Sequence, residues 1–392
     1  MNSPICLRSL ARGTRRQMAD NPLQGSQNQA DGKPAVITGA LARSALLFEV
    51  DLTPKPGLVD TENNGSHPDL TGELFYRSAK ALEPYFSQYW QIGADKPLPA
   101  IFPALRSLGL EAEAEMFAAT GGRNTHKGAH FCLGLVLATA GYLYHQADWP
   151  SKRANEEERS EDDKARTENK EPLSDNEQTD DKGCLTDTTA QEADPQHLTT
   201  VAKAQLPGNA AVRAELQRIE LVAELLSFVP RICGDLIATD LNDPAGEYQT
   251  TAGAESFRRY GIGGIRAEVS SGFPSITKYG LLMLKSHALG QSVIDAGGKV
   301  LMSDRKLTLD YLMTLIARVE DTTLIKRGGL AGLRYAQSAA ANYLNCHAQD
   351  DCWEEALRLL DVDFQARNLS PGGAADLLAV TYLAFSLITE IF

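Results

Sequence analysis

Apolar residues recur every three or four positions along most of the chain, which is the spacing of one face of an α-helix. Leu41, Ala45 and Phe48 form the first such face, and the two prolines that follow predict where this helix ends. Residues 129–145 are apolar on nearly all sides. We therefore expect this segment to form a helix buried at the centre of the fold.

Similar apolar faces continue in the second half of the chain. They consist of Leu216, Ile219, Val222, Leu226 and Val229, then of Leu312, Leu315, Ile316 and Val319, and then of Trp353, Leu357 and Leu360. Pro230 predicts a kink or a break in the first of these helices. The last helix is expected to begin with Ser370 as its N-cap and Pro371 as its first residue. Strands with a period of two are scarce, so the predicted fold class is all-α, a single multi-helix domain around buried apolar helices.

The composition changes within the chain. Residues 151–196 are rich in acidic, amide and hydroxyl side chains and contain almost no large apolar ones, a composition that does not fold alone. We predict a long disordered acidic insertion over residues 151–207 and a disordered N-terminal tail over residues 1–34. The tail has four arginines before its first acid, so a transit peptide is the alternative. Residues 35–150 and 208–392 are then expected to form one helical catalytic domain.

Charge and cysteine usage narrow the class of protein. The formal net charge is -13, which argues against general binding to nucleic acid or to an anionic membrane. The most apolar segment, residues 377–388, is shorter than the roughly 20 residues of a membrane span. None of the six cysteines forms a CxxC pair, so we expect free thiols in a reducing compartment, the cytoplasm, and no zinc site.

The common nucleotide-binding signatures are absent from the sequence. There is no GxxxxGK[ST] motif, and the glycines at 261, 263 and 264 are followed by Arg266 without a preceding strand. Polar clusters between helices are the remaining candidates for chemistry. The first, residues 49–70, is an extended loop that presents Asp60, His67 and Asp69, or alternatively a connector whose acids cap helices.

The second cluster has the sequence GGRNTHKGAHF and leads into the predicted buried helix. Its glycines let the backbone approach a ligand, the free N–H groups of a helix start attract anions, and Lys127 adds charge. A triphosphate would suit this position, although a capped helix start with exposed basic residues is an equally simple interpretation. His130 lies further into the helix and is predicted to be a satisfied core histidine.

The third cluster, residues 260–276, contains Arg266 and Glu268. These two residues could be a phosphate clamp and a carboxylate base or metal ligand, or they could form a structural ion pair.

The fourth cluster combines residues 321–330 with residues 367–383. Lys326, Arg327 and Arg367 offer phosphate contacts, and Asp376 is an acid within a very apolar helix. A buried acid in that setting needs a cation or a proton, so Asp376 is a functional candidate, or else a helix-dipole partner.

Five sequences from these clusters carry a family resemblance when they are taken in order. TPKPGLVD, NNGSHPDL, NTHKGA, SGFPS and RNLSPGGAADLLA resemble the triphosphoribosyl-dephospho-CoA synthases of the citrate lyase and malonate decarboxylase systems. The resemblance runs from about residue 40 to the C-terminus and is interrupted by the acidic insertion. Ala267 replaces a glycine expected from the family, and Ser66 replaces an alanine.

This resemblance implies a transferase that converts ATP and 3′-dephospho-CoA into 2′-(5″-triphosphoribosyl)-3′-dephospho-CoA and adenine, with Mg²⁺ as cofactor. The product would pass to a transferase that modifies an acyl carrier protein. The expected catalytic residues are Glu49, Asp60, His67, Asp69 and Glu268. The expected ATP and phosphate ligands are Lys55, Asn124, His126, Lys127, Arg266, Lys326, Arg327 and Arg367. The expected metal ligands are Asp69, Glu268 and Asp376.

Three alternatives remain open at this point, one of which is an enzyme with two fused functions, although the composition shows no second domain. A helical Mg-dependent hydrolase of N-glycosidic or phosphate bonds would use the same carboxylates without an acceptor. A non-catalytic partner of the lyase or decarboxylase complex would bind protein and turn nothing over.

Overall fold

The computed structural model describes residues 28–146, 149, 210–242, 251–290, 304–348 and 351–392. Over this part of the chain it contains twelve α-helices and one π-helix and no strand, which confirms the all-α prediction. The predicted acidic insertion and most of the predicted tail lie outside the described residues.

The helices follow one another in chain order. The first half contains α1 (Asn28–Asp51), α2 (Gly72–Asp95), α3 (Leu98–Ala119) and α4 (Lys127–Tyr144). The second half contains α5 (Ala210–Asn242), α6 (Ala252–Tyr260), α7 (Ile265–Ser270), the π-helix (Ser275–Gly280), α8 (Leu281–Gly290), α9 (Arg305–Arg318), α10 (Thr322–Cys346), α11 (Trp353–Ala366) and α12 (Gly372–Glu390). α1 begins inside the segment predicted as a tail and ends before the prolines, as its apolar spacing predicts.

Glycines bring α2 and α4 into very close contact. A Cβ atom on Gly93 would lie 1.9 Å from the carbonyl oxygen of Ala138, and one on Gly141 would lie 2.3 Å from the carbonyl oxygen of Trp90. Any side chain at either position would therefore force the two helices apart. This contact fixes α4 against α2 and so fixes where α4 begins.

Two helices occupy the interior, and buried residues from both halves of the chain join in one hydrophobic core. α4 is buried along most of its length, as its sequence predicts. α12 packs against α1, α4 and α5. Among the described residues, α12 is the one helix long and apolar enough to cross a membrane, but 67% of its apolar window is buried inside the fold.

Two predicted helix boundaries need correction. Of the kink or break predicted at Pro230, the break is wrong: α5 continues through the proline, because Val229 and Cys233 on either side are buried in the core, which offsets the one lost backbone hydrogen bond. α12 begins at Gly372, with Pro371 in the N-cap position. Ser370 does not cap it, because the Ser370 hydroxyl is paired with His67.

Candidate active site

A cavity of about 380 Å³ lies between the starts of several helices. The helices α1 to α7, α10 and α12 contribute residues to its wall, together with the loop between α1 and α2. Eight of the predicted site residues line it: Glu49, His67, Asn124, His126, Lys127, Arg266, Lys326 and Asp376. The fold thus brings together residues that are more than 300 positions apart in the chain.

Three helices direct their N-termini at this cavity. α4 begins at Lys127, α10 at Thr322 and α12 at Gly372, and all three residues line the cavity wall. The first turn of a helix has unpaired N–H groups and a partial positive charge. Their convergence makes the cavity suitable for an anionic ligand such as a phosphate.

One carboxylate, which the sequence analysis did not single out, caps two of these helices. Oδ1 of Asp321 accepts hydrogen bonds from the backbone N–H groups of Thr323 (2.7 Å) and Leu324 (3.2 Å) at the start of α10. Oδ2 accepts from Gly373 (2.7 Å) and Ala374 (3.2 Å) at the start of α12. Burial raises the pKa of Asp321, against the opposing effect of these N–H groups. The only sequence signal was an Asp just before a helix, a common N-cap.

Asp376 holds the start of α4. It is buried, and it accepts a hydrogen bond from the backbone N–H of Ala129. A Cβ atom on Gly128 would lie only 2.0 Å from Oδ2 of Asp376, so glycine is needed at this contact. Burial raises the pKa of Asp376 well above its usual value, and the nearby carboxylates of Asp321 and Glu49 raise it further. The cavity therefore contains a buried acid that tends to keep its proton.

Glu49 and Lys55 form an ion pair at the cavity wall. The Lys55 side chain is completely buried, and its ammonium donates to both Oε1 and the backbone carbonyl of Glu49. Glu49 lines the cavity, whereas Lys55 lies behind it. Oε2 of Glu49 accepts no hydrogen bond within the described residues. Lys55, an expected phosphate ligand, is thus placed to balance the charge of Glu49.

Two lysines stand at the helix starts. Lys127 forms an ion pair with Glu113, and both residues line the cavity. Asn124 accepts a 3.2 Å hydrogen bond from the backbone N–H of Lys127 and so caps α4. Lys326 is exposed, lines the cavity and has no ion-pair partner among the described residues.

Two arginines share one carboxylate on another part of the wall. Arg106 donates to both oxygens of Asp240 at 2.8 Å, and Arg266 lies 3.6 Å from the same carboxylate. The Arg266 guanidinium also lies over the ring of Phe131, 5.4 Å from its centre. Two guanidiniums thus lie beside one carboxylate at the wall, and the sequence analysis missed Arg106 and Asp240 because neither belongs to a recognisable motif.

His67 joins two loops at the edge of the cavity. Its Nε2 atom lies 2.8 Å from Oγ of Ser370, and its Nδ1 atom lies 3.3 Å from the guanidinium of Arg327. Because a guanidinium can only donate, Nδ1 is the acceptor and Nε2 carries the proton. Burial and the charge of Arg327 lower the pKa of His67 to about 4, so the ring is neutral at pH 7.

Arg327 itself is used in this junction. It also donates to the backbone carbonyl of Ser66 and to Asn368, and it does not line the cavity. An expected phosphate ligand therefore connects the loop after α1 to the loop before α12.

Neutral polar groups line the wall along the start of α4. His126 pairs through Nδ1 with the hydroxyl of Ser78 at 2.7 Å, whereas its Nε2 atom is buried without a partner. Thr125 Oγ1 and both ring nitrogens of His130 are also buried without a partner. Burial lowers the pKa of His126 to about 3 and that of His130 to about 4. The prediction that His130 is a satisfied core histidine is wrong, because it is buried but makes no hydrogen bond through its ring.

Two other expected catalytic residues lie outside the cavity wall, with their carboxylates used locally. Asp60 accepts hydrogen bonds from three backbone N–H groups of its own loop. Glu268 accepts from the backbone N–H (3.0 Å) and hydroxyl (2.6 Å) of Ser275, where the π-helix begins. Burial raises the pKa of Glu268. Asp60 therefore stabilises its own loop rather than capping a helix, and Glu268 is bonded to Ser275 rather than to Arg266, whose carboxylate neighbour is Asp240.

The expected metal ligands are not brought together. Asp69 is exposed, Glu268 is bonded to Ser275, and Asp376 caps α4. No group of three or more His, Cys, Asp or Glu side chains suited to a metal ion occurs in the part of the chain that the structure describes. Arg367 is also outside the wall, where it pairs with Asp363 and lies over the ring of Tyr335.

The structure thus defines an all-helical protein with a cavity lined by the starts of three helices and by lysine and arginine side chains. The sequence matches the family of ATP:dephospho-CoA triphosphoribosyl transferases (CitG) over residues 37–217 and 197–391. The chain belongs to this family.

Curated relatives cover most of the chain. A probable 2-(5″-triphosphoribosyl)-3′-dephosphocoenzyme-A synthase of Vibrio cholerae is 32% identical over 90% of this chain and 88% of its own length. The synthase of Escherichia fergusonii is 31% identical over 87% of this chain and 88% of its own. A probable synthase of Streptococcus mutans is 31% identical over 90% and 96%. No solved structure matches the chain significantly.

Proposed function

We propose that this protein transfers the triphosphoribosyl group of ATP to 3′-dephospho-CoA. The bond between C1′ of the ATP ribose and N9 of adenine breaks, and a bond forms between that carbon and the 2′-oxygen of dephospho-CoA. The hydroxyl loses its proton and adenine gains one, so that adenine and 2′-(5″-triphosphoribosyl)-3′-dephospho-CoA are the products. The family supplies this reaction, and the relatives are named for the same product.

The observation that carries the proposal is the convergence of three helix N-termini on one cavity. The triphosphate does not react in a ribosyl transfer and serves as a handle. Asn124, Asp321 and Asp376 already accept hydrogen bonds from several N–H groups of α4, α10 and α12. The partial positive charge of these helix starts would attract the triphosphate, and Lys127 and Lys326 would contact it. The pair Arg106 and Arg266 is a second cationic position, which we assign to the diphosphate of dephospho-CoA.

Two carboxylates in different environments suit the two proton transfers. Glu49, ion-paired with Lys55 and with one free oxygen, is the base that we propose for the 2′-hydroxyl. Asp376, whose pKa is raised by burial, is the acid that we propose for the departing adenine. Positive charge develops on the ribose ring as adenine leaves, and the carboxylate of Glu49 would also stabilise it.

The residues of this cavity suit a Mg²⁺ ion that takes few ligands from the protein. The described residues form no cluster of metal ligands, but Mg²⁺ usually takes most of its ligands from water and substrate phosphates and needs only one or two carboxylates. We therefore propose that Mg²⁺ is held mainly by the triphosphate of ATP and by water, and not by Asp376, whose proton the reaction needs. Its contribution would be to neutralise phosphate charge. We further propose that the reaction takes place in the cytoplasm and that its product passes to a transferase that modifies an acyl carrier protein.

The test is to incubate the purified chain with ATP, Mg²⁺ and dephospho-CoA and to follow adenine and the coupled product by chromatography. We expect adenine and the triphosphoribosyl product in equal amounts, and neither without dephospho-CoA. Adenine release without the acceptor would show that the protein is a hydrolase. If ADP or phosphate were the main product, the reaction would be phosphoryl transfer. No turnover at all would favour a non-catalytic partner.

A further inference from the structure

The wall of the cavity contains a group of buried polar atoms that have no hydrogen-bond partner. Six such side-chain atoms occur among the described residues, and four of them belong to Thr125, His126 and His130. All three residues line the cavity. An unpaired buried polar group destabilises the folded protein, so a concentration of them at one wall indicates a ligand that completes their hydrogen bonds.

The chemistry of these atoms indicates a neutral ligand group. Burial keeps both imidazoles uncharged at neutral pH, so His130 offers one N–H donor and one acceptor. The Thr125 hydroxyl can do either. A phosphate would be better served by the cations and helix starts nearby. Alternating neutral donors and acceptors match the edge of a nitrogen heterocycle, which carries both kinds of group in one plane.

The surroundings suit the faces of such a ring. Phe75, Tyr89 and Leu135 line the same cavity and provide apolar and aromatic surface. The ring of Phe75 lies edge-on to that of His126, with 5.0 Å between their centres. A flat heterocycle bound there would have its edge at the polar atoms and its faces against these side chains.

We propose that Thr125, His126 and His130 form a subsite that binds the adenine base of ATP by its edge. The identity of the nucleotide rests on the proposed function. Lys127 stands at the first position of α4 and His130 one turn further along, so a nucleotide with its phosphates at the helix start places its base alongside that turn. Adenine also occurs in dephospho-CoA. We assign the subsite to ATP because the phosphate-binding helix start is adjacent to it.

The subsite also has a role in departure of the base. A hydrogen bond from a neutral imidazole N–H to a ring nitrogen strengthens as that nitrogen gains electron density. His130 would therefore stabilise adenine as it leaves, in addition to Asp376, which supplies the proton.

The experiment measures equilibrium binding of free adenine, ATP and dephospho-CoA to the full chain by dialysis. The variants are His130→Phe and Thr125→Val. The control is His145→Phe, an exposed histidine at the other end of α4 that does not line the cavity. The thermal unfolding of each variant is also measured. His130→Phe removes unpaired polar atoms, so its Tm should be equal to or higher than that of the wild type.

We expect His130→Phe to weaken binding of adenine and of ATP about tenfold, since a hydrogen bond lost at a buried site is of this order. Thr125→Val should have a smaller effect in the same direction. Binding of dephospho-CoA should be unchanged, and His145→Phe should resemble the wild type. If His130→Phe fails to fold, Thr125→Val alone decides.

Three results would overturn the subsite. Unchanged adenine binding in both variants would mean that His130 and Thr125 are only part of the core. Weaker ATP binding with unchanged adenine binding would assign these atoms to the ribose. Weaker binding of dephospho-CoA alone would assign the base to the acceptor. These results do not depend on turnover, whereas the proposed function fails if the wild type releases no adenine.

Discussion

Oδ2 of Asp321 accepts a 2.7 Å hydrogen bond from the backbone N–H of Gly373, which lies 52 positions later in the chain. The other oxygen of the same carboxylate caps α10. The starts of α10 and α12 are therefore held at a fixed separation by a single side chain. Because both starts line the cavity, Asp321 sets the geometry of the proposed triphosphate site without needing to touch the substrate.

Removal of this carboxylate should destabilise the fold more than removal of an ordinary helix cap. Asp321→Ala leaves four backbone N–H groups without their partner, and we expect a loss of about 2–4 kcal/mol in the free energy of unfolding. Asp304→Ala is the matched control, because Asp304 caps α9 alone through the N–H of Leu307, and its removal should cost about 1 kcal/mol. Urea denaturation of both variants measures the difference. Equal losses would mean that the second helix gains nothing from Asp321.

Lys127 lines the cavity and Arg367 does not, so substituting each in turn compares a cationic side chain at the proposed site with one outside it. Lys127→Met should raise the KM for ATP by about 10- to 100-fold, because a charge-assisted contact to phosphate contributes about 1.5–3 kcal/mol. The KM for dephospho-CoA should change less. Arg367→Met should leave both constants unchanged, since Arg367 is paired with Asp363 away from the wall. Steady-state kinetics test both variants, and an equal effect of the two substitutions would contradict the assignment of the triphosphate to the helix starts.

Removing both charges of the buried pair Lys55 and Glu49 should restore stability without restoring turnover. Lys55→Met leaves the Glu49 carboxylate buried without its cation, which should cost about 3–5 kcal/mol of stability. The double variant Lys55→Met with Glu49→Leu removes both charges and should recover most of this loss. It should remain inactive, because Glu49 is the proposed base. Thermal melts and the adenine assay distinguish these results, and an active double variant would exclude Glu49 from the chemistry.

His130 should make stability depend on pH in a predictable direction. Its pKa is lowered to about 4 in the folded protein, from about 6.5 in the unfolded chain, so the unfolded state takes up the proton first as the pH falls. Stability is therefore complete above pH 6.5 and is lost as the pH falls towards 4, by about 1.4 kcal/mol per pH unit. His130→Phe removes this contribution. Urea denaturation at pH 7, 6 and 5 should show a shallower pH dependence for the variant, and parallel curves would indicate an ordinary solvated histidine.

The helical fold could be predicted from the sequence because helices have a strong local signature. The all-round apolar run at residues 129–145 became the buried helix α4. A helix break, one of the two outcomes predicted at Pro230, does not occur, because the local cost of a proline was smaller than the gain from burying the residues on either side of it. The start of α12 was displaced by one residue because its cap comes from Asp321, which local sequence cannot show.

The site could be predicted only in part. Motifs identified residues that gather at the cavity, such as Glu49, Lys127 and Asp376. They could not show whether a charged side chain is already satisfied by its own surroundings. Glu268 and Arg327 have the right chemistry for the reaction but are occupied by backbone and side-chain partners nearby.

The length of α4 separates the cavity from the end of the helix where the described chain is interrupted. α4 has 18 residues, so Tyr144 lies about 25 Å along the helix axis from Lys127 at the cavity. The chain leaves the described core at that distant end, close to where residues 151–207 are inserted. Sequence added there starts far from the reacting atoms, so this position should tolerate large changes of length during evolution. It is also the natural place to graft a fluorescent reporter or an affinity tag into the middle of the enzyme.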